Sequence, residues 1–374
     1  METVKWDKLA AEVIDLAVAI QQIPAPTFKE GQRAAWVEAR FRAENLEDVH
    51  RDARGNVLAR LPGRAEVAPL ILSAHLDTVF PANTDLHVQR EADKVYGPGI
   101  GDNSLGVAGL FGLVRALRWG SGLDLPLAGD VWLVANVGEE GLGDLVGMRA
   151  IVEHFGAQVK AYIILEGLAL GQVYHRALGV RRYRIEVTTQ GGHSWVDYGR
   201  PSAIHEIAAL ISRLSNLALP PRPRTSLNVG VVSGGTSVNT IAAEAHLELD
   251  LRSEGAGALQ KLVQTVERQV MQFNHTGVQV RMESIGNRPA GKIPISHPLI
   301  QLAQRCLIEQ GIAPNLAIGS TDANVPLSLG LPAVCVGLSK GSGAHTLQEY
   351  IYTAPVQSGL AQLAALVRGV FQEL

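Results

Sequence analysis

Leu70-Ile71-Leu72-Ser73-Ala74-His75-Leu76-Asp77 sets an apolar run directly against a histidine and an aspartate. A short run of this kind, bounded by turn residues, suits a strand buried on both faces. Two more follow the same plan: Val131 to Val137 runs into Gly138-Glu139-Glu140-Gly141, and Tyr162 to Leu165 runs into Glu166. Helical spacing fills the intervals at Leu105 to Arg118 and Leu145 to Phe155. At the start, Leu9, Val13, Leu16 and Ile20 recur three or four apart and predict an amphipathic helix lying on the sheet. Buried strands alternating with helices predict an α/β layer around a mostly parallel sheet flanked by helices. Ligands of such sheets gather beyond the strand C-termini, where the histidine and the acids stand.

The pattern changes after about Gly179. Arg182 to Thr188 alternates like a half-buried strand, Pro201 to Leu214 has helical spacing, and Leu227 to Val232 and Ile241 to Arg252 alternate again. Ala258 to Phe273 is helical and Val278 to Met282 closes the set. The order βαββαβ is that of a split βαβ, ferredoxin-like α+β unit able to bury its own core. Residues 180–288 are therefore expected to form an inserted domain within a first domain of residues 1–179 and 289–374. A helix over Pro298 to Gln310, a buried run at Pro332 to Gly337 and a helix over Val356 to Phe371 are expected to complete the first layer.

With 47% hydrophobic and 18% charged residues in 374, the chain has ample apolar surface for packed interiors. Its 33 Lys and Arg against 36 Asp and Glu give a net charge of -3 without a run of either sign, which argues against a nucleic-acid partner. No apolar run approaches the ~20 residues of a membrane span, so no membrane partner is expected. Cys306 and Cys335 lie in apolar surroundings without CxxC spacing, as thiols of a reducing compartment do, and the expectation is a cytoplasmic protein.

The chemistry concentrates at the run ends. His75 and Asp77, two apart, are expected to share a face, and a metal-binding imidazole usually gives its other N–H to a carboxylate or carbonyl. Gly97-Pro98-Gly99-Ile100-Gly101-Asp102-Asn103 lacks glycine where a dinucleotide fingerprint needs it, and reads as a tight turn projecting the Asp102 carboxylate. Glu139 and Glu140, adjacent acids, repel unless a positive charge or a proton stabilises them. Glu166 ends the next run, and His345 follows the Pro332 to Gly337 run in Gly341-Ser342-Gly343-Ala344-His345. Together these groups suit two zinc-like ions sharing one carboxylate. Gly337-Leu338-Ser339-Lys340-Gly341 matches the serine-hydrolase string, but another glycine pair follows where the elbow needs a helix.

In this order and spacing the motifs resemble, over nearly the whole chain, the co-catalytic zinc peptidases and deacylases. That family includes glutamate carboxypeptidase, peptidase T, acetylornithine deacetylase and succinyl-diaminopimelate desuccinylase. Besides those above, the resemblance rests on Gly191-Gly192-His193-Ser194, Gly234-Gly235-Thr236-Ser237-Val238-Asn239 and Asp250-Leu251-Arg252. It implies His75, Asp102 and Glu166 as ligands of one zinc and Asp102, Glu140 and His345 as ligands of the other, with cobalt or manganese as alternatives. It further implies Glu139 as general base, Asp77 as partner of His75, and a cis peptide bond after Asp102. His193, Asn239 and Arg252 become substrate-side residues, and the insertion becomes a dimerisation or lid domain of a homodimer. The turn departs from many relatives in running Asp102-Asn103-Ser104-Leu105, which leaves the ligand set intact. The implied activity is exopeptidase cleavage of small peptides, or deacylation of N-acyl amino acids with the same residues. A non-catalytic binding protein on this fold would be expected to have a broken ligand set.

Overall fold

Every residue of the strand Leu70–His75 is buried, as its unbroken apolar run requires. The structure, a computed structural model, describes residues 5–119 and 127–374. The chain forms two compact units, Met1–Ala177 with Lys292–Leu374, and Leu178–Gly291.

The first unit is α/β. Across its central sheet the order is Glu47–Arg51, Val57–Leu61, Val131–Asn136, Leu70–His75, Ala161–Glu166, Ala333–Gly337 and Gln172–Ala177, with Asn315–Gly319 beside the last. The middle pairings are parallel, and the Glu47–Arg51 and Val57–Leu61 strands join antiparallel at one edge. Register decides where the chemistry lies: His75 pairs with Asn136, and Glu166 with Gly337. Four neighbouring strands thus end at one edge of the sheet. The helices Trp6–Gln21, Leu105–Trp119 and Pro355–Glu373 pack on one another. Their apolar stripes, Leu9, Val13 and Ile20 with Leu110, Val114, Leu360 and Val367, enter one core with the buried strands. Both cysteines are buried and free.

The second unit is α+β. Its antiparallel sheet runs Thr225–Gly234, Glu244–Ser253, Gly179–Thr189, Val278–Arg288. The alternation of Gly179–Thr189 and Glu244–Ser253 puts Ile185, Val187, Leu247, Leu249 and Leu251 on one face. There they meet Ile207 and Leu210 of the helix Ala203–Ser215 and Leu262, Val266 and Val270 of the helix Ala256–Met271. A short ribbon pairs Gly192–His193 with Thr240–Ile241. Among the described residues no helix is long and apolar enough to cross a membrane.

Candidate active site

His75 closes its strand, Glu166 closes Ala161–Glu166, and Glu139-Glu140 follow Val131–Asn136. Nε2 of His75 lies 3.1 Å from Asp102 Oδ1 and 3.7 Å from Glu166 Oε2. On the other side, Nε2 of His345 lies 3.1 Å from Asp102 Oδ2 and 3.1 Å from Glu140 Oε1. Asp102 therefore turns one oxygen to each imidazole. His75, Asp102 and Glu166 form one group with donor atoms within 4.8 Å of one another, and Asp102, Glu140 and His345 form a second. His75, Glu139 and Glu140 form a third group of the same kind.

These spacings suit a metal shell. Ligand bonds of about 2.1 Å to a tetrahedral zinc put neighbouring donor atoms about 3.4 Å apart. The observed contacts lie on either side of that edge. Nδ1 of His75 lies 3.0 Å from the main-chain oxygen of Asp77 and 3.5 Å from its Oδ1. A carbonyl only accepts, so Nδ1 carries the proton and Nε2 keeps its lone pair for a cation. His345 has a φ of 65°, in the left-handed region that side chains with a Cβ seldom occupy, while its ring faces Asp102 and Glu140.

The supporting contacts are mostly to backbone. The Asp77 carboxylate accepts from Glu139 N at 3.0 Å, Glu140 N at 2.9 Å and Thr27 Oγ1 at 2.9 Å. It thus braces the paired acids more directly than it orients His75. Asn103 donates to Leu165 O at 2.7 Å and accepts from Gly167 N at 3.0 Å, gripping the chain on both sides of Glu166. A Cβ on Gly106 would lie 2.0 Å from Asn103 Oδ1, so only glycine leaves room for that amide. The Asp102–Asn103 bond is cis, as the resemblance implies.

Acids outnumber cationic groups here, and the charge distribution is strained accordingly. Burial works against the charge of Asp102, yet hydrogen bonds from His345 and His75 hold its carboxyl well below the usual range. Burial pushes Glu166 up to about 7 against the pull of His75. Hydrogen bonding to Asp102 and Glu140 raises His345 to about 10. Burial opposes charge on His75, but its bonds to Asp102, Asp77 and Glu166 raise it well above the ordinary imidazole value.

Within the second unit, His193 and Asn239 come together: Gly192–His193 pairs with Thr240–Ile241, and Ser194 N donates to Asn239 O at 3.0 Å. Nδ1 of His193 accepts from Trp195 N at 3.2 Å and Val196 N at 3.4 Å, so the neutral ring carries its proton on Nε2. A cavity of about 540 Å³ opens alongside, lined by Gly191, Gly192, Gly235, Thr236 and Thr240 among others. Arg252 is not part of this corner. It lies seven residues beyond Ala245 on its strand, about 23 Å at ~3.3 Å per residue. There its Nε meets Asp250 Oδ1 at 2.6 Å, so one edge of the guanidinium is already engaged.

Residues that the motif reading did not single out complete the first unit's site. Glu349 is fully buried and accepts three main-chain N–H groups from the Asp102 turn. Burial pushes its carboxyl up to about 7 against the N–H that Asp102 donates. Asn136, opposite His75 in the sheet, donates to buried Asp322 Oδ2 at 2.7 Å. A signal for Glu349 was its place four residues after His345. Ser339 is buried with its hydroxyl donating to Tyr352 O at 2.6 Å, and the chain after it enters the strand Gly341–Ser342, as the glycine pair predicts.

The model of peptidase family M20/M25/M40 matches residues 71–369. A Mycobacterium tuberculosis protein that carries the name succinyl-diaminopimelate desuccinylase is 26% identical over 375 residues, covering 96% of this chain and 99% of its own. A Staphylococcus aureus tripeptidase superposes with a TM-score of 0.80 at 21% identity, covering 97% of this chain and 99% of its own. A Bacillus subtilis dinuclear metal-binding peptidase does so with a TM-score of 0.69 at 16% identity, covering 98% and 99%. The two structures share the fold. The chain belongs to peptidase family M20/M25/M40, a family of hydrolytic enzymes.

Proposed function

We propose that this family member is an exopeptidase that hydrolyses a terminal amide bond of small peptides at a centre of two divalent ions, zinc before cobalt or manganese. The observation that carries this reading is the sharing of Asp102 between two donor groups. His75, Asp102 and Glu166 hold one ion, and Asp102, Glu140 and His345 hold the other. When bound, the ion pair supplies positive charge to the scissile carbonyl and lowers the pKa of a water from 15.7 toward about 7.

The chain's own residues do the rest. Glu139, buried beside Glu140 and surplus to the two ligand sets, accepts the proton of the attacking water and passes it to the departing amine nitrogen. Asp77 fixes the backbone of both acids, so the base and its neighbouring ligand keep one spacing. His193, a neutral Nε2–H donor, stabilises the oxyanion that develops on the carbonyl oxygen. Asn239 contacts the substrate beside it, and the edge of the Arg252 guanidinium beyond Asp250 takes a substrate carboxylate.

The second unit, in this reading, is the lid and dimerisation domain of a homodimer in which His193 serves the partner's centre. Mixing His193→Ala and Glu139→Gln subunits, each inactive alone, then restores partial activity. No recovery despite proven subunit exchange refutes the shared site, and a strictly monomeric protein refutes the dimer.

Substrate class is decided by a panel of di- and tripeptides set beside N-acetyl and N-succinyl amino acids, with and without a chelator. Chelator-sensitive release of a terminal residue from the peptides is expected. Turnover of the N-acyl compounds alone would favour the deacylase reading, which the 26% identity to the protein named desuccinylase supports. Hydrolysis unaffected by metal removal would refute the metal centre.

A further inference from the structure

Glu349 sits apart from the donor atoms, yet its carboxylate is directed at the turn that carries the shared ligand. Gly99 N donates to its Oε2 at 2.8 Å, and Gly101 N and Asp102 N both donate to its Oε1 at 2.8 Å. The turn can present three N–H groups to one side because Gly99 takes a φ of 74°, which a side chain disfavours. The same segment is also stitched through the backbone: Gly97 N donates to Glu349 O at 2.9 Å, and Tyr350 pairs with Tyr96. Glu349 lies four residues from His345. One buried carboxylate therefore joins the segment carrying Asp102 to the segment carrying His345, nearly 250 residues apart in sequence.

We propose that Glu349 is a positioning residue of the metal centre, setting Asp102 and His345 in the mutual geometry that lets one carboxylate serve two ions. The inference rests on the two-ion reading above. Its physical content is that three N–H donors converge on two oxygens. An ionised carboxylate satisfies all three, whereas the glutamine amide keeps the two bonds to its oxygen and turns its NH2 toward the third donor. Without the carboxylate, the turn's N–H groups need other partners, and the direction in which Asp102 projects is no longer fixed.

The test uses metal-free protein titrated with Co²⁺ alone, reading the visible ligand-field spectrum and the affinity by chelator competition. Glu349→Ala is expected to weaken cobalt binding roughly 10-fold to 100-fold, as loss of outer contacts to ligands does, and to alter the spectrum. Glu349→Gln is expected to fall between it and the parent protein. Leu363→Ala, a cavity in the core face of the helix Pro355–Glu373, which supplies no donor atom to the site, is the control: it is expected to lower the unfolding midpoint while leaving cobalt affinity and spectrum unchanged. If Glu349→Ala does not fold, Glu349→Gln carries the comparison. Parental affinity and spectrum in the glutamate variants would overturn the positioning role, as would an equal loss of affinity in Leu363→Ala. Parent protein that takes up no cobalt would overturn the two-ion reading itself, and this inference with it.

Discussion

Replacing Asp77 by asparagine removes one acceptor oxygen from a site where both are engaged. Oδ1 accepts from Glu139 N and lies near the protonated Nδ1 of His75, while Oδ2 accepts from Glu140 N and Thr27 Oγ1. The Thr27 hydroxyl can rotate and accept instead. The two main-chain groups cannot, so whichever way the new amide turns, its NH2 confronts a buried N–H. Leaving such a donor unsatisfied costs about 1–3 kcal/mol. The lost charge also faces Arg33, whose guanidinium is buried and whose charged form Asp77 favours. The upper half of that range, about 2–3 kcal/mol, is therefore expected. With an m-value of about 2–3 kcal/mol/M it lowers the urea midpoint of the metal-free protein by roughly 1 M. Because the same contacts hold Glu140 and flank His75, metal affinity should fall about 10-fold to 100-fold, read by chelator competition. An Asp77→Asn protein with parental urea midpoint and parental metal affinity would refute the assignment of this carboxylate as the brace of the paired acids.

Glu139→Gln should keep two ions per chain by elemental analysis while turnover falls about 100-fold to 10,000-fold, and loss of metal would instead mark Glu139 as structural. His345→Ala is expected to retain one of the two ions and Asp102→Ala neither, because only Asp102 belongs to both donor groups; equal losses in the two variants would contradict the shared ligand. Metal uptake should weaken as pH falls, since His345, raised to about 10, and His75, also raised, must each release a proton to bind a metal. Calorimetry at pH 7 in two buffers of different ionisation heat should detect release of at least about two protons, one from each imidazole and a further fraction from Glu166 at about 7, and none would refute the pairing. The same raised values mean that the metal-free centre draws full stability from its imidazole–carboxylate contacts below about pH 6.5 and loses it as pH rises through the folded values, a trend that urea midpoints would follow.

The residues that end buried strands were legible because such strands are continuous apolar runs, and the first polar residue after each is a strand terminus. His75, Glu166 and the pair Glu139-Glu140 were located this way, and the structure brings them together with Asp102 and His345. Elements at the periphery gave no such signal. Glu47–Arg51 is exposed at four of its five positions, and the helix Gly31–Ala43 buries Arg33 on the face that an apolar stripe would mark. Strand order was equally silent, since nothing in a single run says that Val131–Asn136 inserts between Val57–Leu61 and Leu70–His75. Side-chain pairing was the third gap. Arg252 reads as a free fork in sequence but faces Asp250 on its own strand, and Asp77 reads as a histidine partner but mainly binds main-chain N–H groups. Glu349 offered only its place four residues after His345, because its partners are backbone atoms, which carry no letter in a sequence.

The pairing of Ala161–Glu166 with Ala333–Gly337 has a consequence for how the protein is made. His75, Asp102 and Glu166 have all been translated 179 residues before His345, an interval of about 9 to 36 s at roughly 5–20 residues per second. The second unit is built from the chain that emerges in between and closes its own sheet from contiguous sequence. The Ala161–Glu166 strand, meanwhile, waits with one flank unpaired, and an apolar strand edge is what other chains most readily pair with. The period between completion of the insertion and arrival of Ala333–Gly337 is thus when a nascent chain is most exposed to misassembly, and when ribosome pausing or chaperone supply would govern yield.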